Sequence, residues 1–107
     1  RERIAFLKQF GWEAESEPVE IDQVLIPQKF NKVYENYNEI QRGQGLDLEK
    51  YKGKSCKRIG YRITNYPGGG DNVRANLLIY EDKVVGGDIC STQLDGFMHG
   101  FVKPDKK

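Results

Sequence analysis

Between residues 56 and 91 the chain alternates polar and apolar positions with a period of two, in three stretches separated by turn-forming residues. In the first stretch, 56–66, Ile59, Tyr61 and Ile63 take the odd positions, and Arg58, Gly60, Arg62 and Thr64 the even ones. Pro67 to Asn72 then forms a glycine-rich turn, and a second stretch, 73–80, puts Val73, Ala75, Leu77 and Ile79 on odd positions. Glu81-Asp82-Lys83 reads as a three-residue hairpin loop, after which Val85, Gly87 and Ile89 continue the odd set. This pattern predicts three consecutive antiparallel strands with one apolar face, since opposed residues of paired strands share a face.

The first half of the chain has helical spacing instead. Ile4, Phe6, Leu7 and Phe10 predict a helix over residues 1–10, stopped by Gly11, with Trp12 just beyond its end. Residues 13–17 are acidic and exposed. A short strand is expected near 19–26, from Val19, Ile21, Val24, Leu25 and Ile26, closed by Pro27. Phe30, Val33, Tyr34, Tyr37 and Ile40 or Gln41 then give the stripe of a second helix, with Pro27 in its first turn and Gly43 and Gly45 at its end. Asp47 caps one further turn, Glu49 to Tyr51, before an exposed Lys52-Gly53-Lys54 turn. The expected fold is a single α+β domain over residues 1–107. It has an antiparallel sheet, built from the 56–91 meander plus the short strand near 19–26, with two main helices packed on one face.

The strand register locates candidate chemistry. A three-residue loop at 81–83 sets Tyr80 opposite Val84, Asn76 opposite Asp88 and Arg74 opposite Cys90. A matching register places Arg62 beside Asn76 and Thr64 beside Arg74. The even face then carries Arg62, Asn76 and Asp88 in one row and Thr64, Arg74 and Cys90 in the next. Gly60, Leu78 and Gly86 form a trough in which facing glycines leave room for a side chain or a ligand. Arg62, Arg74, Asn76 and Asp88 are therefore the candidate ligand-binding residues, two guanidinium groups suiting a carboxylate or phosphate. The plainer alternative is a solvated sheet face on which Asp88 pairs with an arginine.

The same register puts Cys56 and Cys90 at opposite ends of the sheet, roughly 30 Å apart at ~3.3 Å per residue, too far for a disulfide. Cys90 as nucleophile, the single histidine His99 as base and Asp95 as its orienting group form a possible triad. A metal held by Asp88, Cys90, Asp95 and His99 matches no standard zinc spacing, so no metal is expected. The plainer reading has Phe97, Met98 and Phe101 tuck against the sheet, with His99 a hydrogen-bonded boundary residue. Pro67-Gly68-Gly69-Gly70 joins two strands and lacks the lysine ending of a phosphate loop, so it reads as a hairpin loop.

Composition narrows the function classes. The 107 residues carry a formal net charge of +1 with 31% charged positions, so no global basic field favours nucleic acid. Lys50, Lys52, Lys54, Lys57 and Arg58 form a local basic run, read as a solvated face. Trp12, six Tyr and five Phe supply a core and argue against disorder. No apolar run approaches the ~20 residues of a membrane span. The opening Arg1-Glu2-Arg3 lacks an initiator Met and suggests the soluble part of a longer precursor with an N-terminal signal or anchor, a plain truncation being the alternative that explains it as well.

Taken together, the segments FNKVYENYNEIQ, GLDLEKYKGK, ITNYP, VRANLLIYEDKVVGGDIC and LDGFMHGF resemble an uncharacterised domain family of unknown function. The resemblance spans roughly residues 1–102. Its members are small proteins of Gram-positive anaerobic bacteria with an N-terminal signal or single membrane-spanning segment. The resemblance thus implies an extracytoplasmic domain that meets a membrane only through such an anchor. The expected function is a non-enzymatic ligand-binding or protein-interaction module. It would use the even face and the LDGFMHGF tail, take an unknown protein or a small anionic ligand as partner, and need no cofactor. The alternatives are a thiol-dependent enzyme using Cys90 with His99, and a domain that assembles through the edge of its sheet.

Overall fold

The alternating stretches pair into an antiparallel sheet whose strands lie side by side in chain order. The computed structural model describes residues 2–67, 72–92 and 96–102. Its elements are α1 (Glu2–Lys8), β1 (Glu20–Leu25), α2 (Lys32–Arg42), a 3₁₀ turn (Leu48–Tyr51), β2 (Ser55–Arg62), β3 (Val73–Tyr80), β4 (Lys83–Ser91) and β5 (Met98–His99). This is an α+β architecture with five strands, one more than the sequence pattern suggests. The additional strand is β5, two residues of the tail paired with Ile89 and Cys90.

The two helices lie on opposite faces of the sheet, which corrects the expectation of a single covered face. The odd face packs Ile59, Tyr61, Ile63, Ala75, Leu77 and Ile89 against Leu7 of α1, Trp12 and Phe101. The Trp12 indole N–H donates to the Phe101 carbonyl and so ties the two ends of the described chain together. The even face has its own apolar end: Cys56, Leu78 and Val85 pack with Ile26 and Leu48, and with Tyr34 and Tyr37 of α2. Both faces carry enough apolar surface at ~25 cal/mol per Å² to hold a helix, so the chain places one on each.

Three details of register differ from the sequence reading. The β3–β4 connection is a two-residue loop, with Tyr80 opposite Lys83, and both Glu81 (φ 51) and Asp82 (φ 67) are left-handed. That geometry matches the right-handed twist of the strands it joins. A bulge between Leu78 and Ile79 absorbs Val85 and moves it to the even face, and this restores the expected Asn76–Asp88 and Arg74–Cys90 pairs. Between β2 and β3 the register is shifted by two residues: Gly60 faces Asn76 and Arg62 faces Arg74. The rows of the even face are thus Arg58–Leu78–Gly86, Gly60–Asn76–Asp88 and Arg62–Arg74–Cys90. The shift of two leaves every side chain on its expected face.

α2 starts at Lys32, not at Pro27, because Asn31 caps it: the Asn31 Oδ1 accepts from the Tyr34 N–H at 2.9 Å. Asp47 caps the 3₁₀ turn as expected, accepting from the Glu49 N–H at 3.0 Å. β2 ends at Arg62; beyond it the Ile63 N–H still donates to the Val73 carbonyl at 2.9 Å, and Ile63 makes an isolated bridge to Ala14. Both cysteines are free. Cys90 is opposite Arg74, while Cys56, one step past the Lys57–Ile79 pair, is level with Tyr80. They stand six levels of β3 apart, about 20 Å along the strands and not 30 Å. Among the described residues no helix is long and apolar enough to cross a membrane.

Candidate functional site

α2 does not cover the whole even face. Its docking point is Gln41, a fully buried amide whose Nε2 donates to the Gly87 carbonyl and whose Oε1 accepts from the Gly87 N–H, both at 2.9 Å. Gly87 can present both groups to the helix because it sits at φ +151. A Cβ there would collide with the Asn76 carbonyl and the Phe101 ring, so only glycine fits. The 3₁₀ turn presses Leu48 onto Gly86 beside this clasp. Toward the Cys90 end of the strands an open space remains between α2 and the even face.

This space is a cleft of about 530 Å³. Its α2 wall is Val33, Tyr34, Asn36, Tyr37 and Ile40. Val24 and Glu20 of β1, Arg58 of β2, and Arg74, Asn76 and Leu78 of β3 line the sheet side. Asp88 and Cys90 of β4, then Thr92 and Met98, complete it, so every strand contributes. The walls are mainly apolar and aromatic, with polar groups gathered on the floor, the usual composition of a small-molecule site.

Asp88 is the centre of that floor. It is 3% exposed, and its carboxylate accepts from the Tyr37 hydroxyl and from the Asn76 Nδ2 at 3.0 Å. The Asn76 amide also reaches the Cys90 sulfur at 3.3 Å. Burial raises the Asp88 carboxyl above its ordinary 3.8, an effect offset in part by hydrogen bonds from Tyr37, Asn76 and Cys90 and by the charge of Arg58. Burial, then the Asp88 charge and its hydrogen bond, hold the Tyr37 phenol well above its ordinary 10.0, so it stays a donor through the neutral range. The Cys90 thiol is likewise raised, first by burial and then by Asp88.

The arginines have carboxylate partners within the domain. Glu20 of β1 reaches two strands across to Arg74, at 3.2 Å, while its other oxygen meets Arg58 at 3.3 Å. The reach is possible because Gly60, on the strand between them, has no side chain; a Cβ there would stand 3.7 Å from the Glu20 Cβ and 3.0 Å from the Asn76 Oδ1. Arg58 also pairs with Asp22 at 3.3 Å. Arg62 faces Arg74 in register, a like-charge neighbour relieved on its own side by Glu15 at 2.6 Å.

Of the candidate binding residues, then, the fold brings Arg74, Asn76 and Asp88 together in the cleft and leaves Arg62 outside its lining. It does not bring Cys90 and His99 together. Cys90 is opposite Met98 and His99 opposite Ile89, which puts them on the two faces of the sheet. The His99 Nε2 meets the Tyr66 hydroxyl at 2.9 Å, and the ring stacks on Phe97. Asp95 and the Gly68-Gly69-Gly70 run lie outside the described residues. Among the described residues no cluster of His, Cys, Asp and Glu is placed to hold a metal ion. The sequence reading missed Glu20, Arg58 and Tyr37. The signals were present as the even parity of Glu20 and Arg58, and as a polar-tipped tyrosine on an otherwise apolar helix stripe.

Residues 6–89 match a domain of unknown function, DUF4830. The chain belongs to that family. No curated protein and no solved structure matches the chain. Within the DUF4830 stretch lie the whole α2 wall of the cleft, the β1, β2 and β3 floor, and Asp88; Cys90, Thr92 and Met98 follow it.

Proposed function

We propose that this DUF4830 domain is a non-enzymatic binding module whose ligand site is the cleft between α2 and the even face of the sheet. The observation that carries the reading is the cleft itself, about 530 Å³ with apolar walls and a hydrogen-bonded carboxylate on its floor. A catalytic reading gains no comparable support. The Cys90 thiol is raised, the opposite of an activated nucleophile, and the sheet stands between it and His99. We further propose, from the family resemblance, that the domain works outside the cytoplasm, secreted or held by an N-terminal anchor.

Met98 is the single methionine and lies at the cleft mouth, so a ¹³Cε-methionine label gives one reporter peak. Compounds from a mixed library of small neutral, anionic and cationic molecules that raise the melting temperature should shift that peak and the amides of Tyr37 and Asp88. Stabilising compounds that leave all three unmoved would place binding elsewhere and overturn the assignment. For location, protease added to whole cells expressing the tagged full-length protein should digest the domain; digestion only after lysis would overturn the extracytoplasmic reading.

A further inference from the structure

The charged groups lining the cleft balance in number, Glu20 and Asp88 against Arg58 and Arg74, but the ion pairs leave one of them out, and that residue indicates what the cleft takes. On the sheet side Arg58 and Arg74 are matched by Glu20 and Asp22 through three ion pairs of 3.2 to 3.3 Å. Asp88 stands apart from this group. Its hydrogen-bond donors are the Tyr37 phenol, the Asn76 amide and the Cys90 thiol, all neutral, and among the described residues it forms no ion pair. A carboxylate has room for about four hydrogen bonds, so Asp88 retains acceptor capacity toward the cleft it lines. A desolvated anion with neutral donors and an open apolar approach is best complemented by a cation that brings its own apolar body.

We propose that the cleft recognises an organic ammonium group on an apolar body, with Asp88 as its counter-ion; this rests on the cleft being the binding site. The rings of Tyr34 and Tyr37 stand on the helix wall where they can face the cation. Val24, Val33, Ile40 and Leu78 offer surface for the apolar part. An anionic ligand fits less well, because each guanidinium of the cleft is engaged by Glu20 and Asp88 would repel it. A bare divalent ion fits less well too, since one carboxylate falls far short of the six or more oxygens such ions gather.

The test is a ¹⁵N–¹H titration of the 107-residue protein at pH 7 and fixed ionic strength with n-hexylammonium chloride, 1-hexanol and sodium hexanoate. The expected result is saturable movement of the Tyr34, Asn76 and Asp88 amides with hexylammonium. Its half-saturation should come at least about tenfold below that of hexanol, the size of one charge-assisted hydrogen bond, with hexanoate weakest. Asp88→Asn should abolish the preference for hexylammonium over hexanol while keeping the hexanol response; a preference that survives in this variant removes Asp88 from the proposal. Should the variant not fold, the wild-type series decides alone. Equal half-saturation for hexylammonium and hexanol, or tightest binding of hexanoate, overturns the ammonium inference and leaves the cleft as a site. No movement of cleft amides with any of the three overturns both.

Discussion

Replacing Gln41 by leucine tests whether α2 is held by shape or by its amide clasp. Leucine is close to glutamine in volume, so the substitution opens no cavity, and the change is confined to hydrogen bonding. The native amide satisfies the Gly87 N–H and shares the Gly87 carbonyl with the Gln44 Nε2, which lies at 3.2 Å. In Gln41→Leu the carbonyl therefore keeps a donor, while the Gly87 N–H, in a buried position, loses its acceptor. An orphaned buried N–H costs about 1–3 kcal/mol. The Gln44 Nε2 also loses the Gln41 Oε1 at 2.9 Å, a bond worth about 0.5–1.5 kcal/mol that water can partly replace. The sum is about 1.5–4.5 kcal/mol, and its middle, about 2–3 kcal/mol, is a fall of roughly 8–24 °C in melting temperature at some 4–8 °C per kcal/mol for a domain near 100 residues.

Trp12 is the single tryptophan and is buried, so its fluorescence reports global unfolding in urea. Hydrogen exchange at the Gly87 amide reads the clasp itself and should accelerate in Gln41→Leu beyond the global change. Gln41→Ala adds a cavity to the same loss and should be worse by about 1–2 kcal/mol. The reasoning is refuted if Gln41→Leu stays within about 0.5 kcal/mol of wild type. It is also refuted if alanine and leucine differ from each other by more than leucine differs from wild type, because packing would then outweigh the polar clasp.

Three further outcomes are expected. Glu81→Asn combined with Asp82→Gly should stabilise by about 1 kcal/mol in urea denaturation, since both residues hold positive φ in a two-residue turn that favours Asn-Gly; a loss of stability would mean another turn type. The Asp88 carboxyl, raised chiefly by burial, binds more protons folded than unfolded. Its contribution is therefore most favourable below pH 3.8 and is lost as pH rises through its folded value, and the gap between Asp88→Asn and wild-type urea midpoints should move in favour of the variant over that window. A gap that moves toward wild type would show the carboxylate stabilised by its surroundings. Alkylation of folded protein by iodoacetamide at pH 7.5 should be slow at both cysteines, each raised by burial, and both should react on unfolding; fast labelling of folded Cys90 would reinstate a nucleophilic role.

Much of this fold is legible in the alternation of residues 56–91, because a two-sided sheet writes its faces directly into odd and even positions. Parity survived errors that defeated exact register. The β2–β3 pairing is displaced by two residues, and the unexpected bulge at Val85 cancels the shortened loop at Glu81-Asp82. What parity could not supply was the side on which each helix lands. Cys56, Leu78 and Tyr80 share the even positions with Arg58, Arg74 and Asp88, so one face is apolar at one end and charged at the other. Glu20 and Arg74 meet across an intervening strand, a contact that follows only once Gly60 is known to lie between them. The tail gave no strand signal, because β5 is two residues long and draws its stability from pairing with β4.

That division of the even face also explains why a cleft exists at all. At one end Gly86 and Gly87 present no side chains, and an added Cβ at Gly86 would stand 3.1 Å from the Leu48 Cδ2 and 3.3 Å from the Gln41 Oε1. The Leu48 and Gln41 side chains therefore rest directly on the strand backbone there. One row further along β4 the sheet carries Asp88 and Asn76, and beyond it Cys90 and Arg74. The Tyr37 hydroxyl on Asp88 bridges helix and sheet at this level, and the cleft opens beside it. The polar side chains that occupy this part of the face are the same ones that line the cleft floor. Filling the face with larger apolar residues would make a tighter α+β domain, and it would remove the carboxylate and the space together.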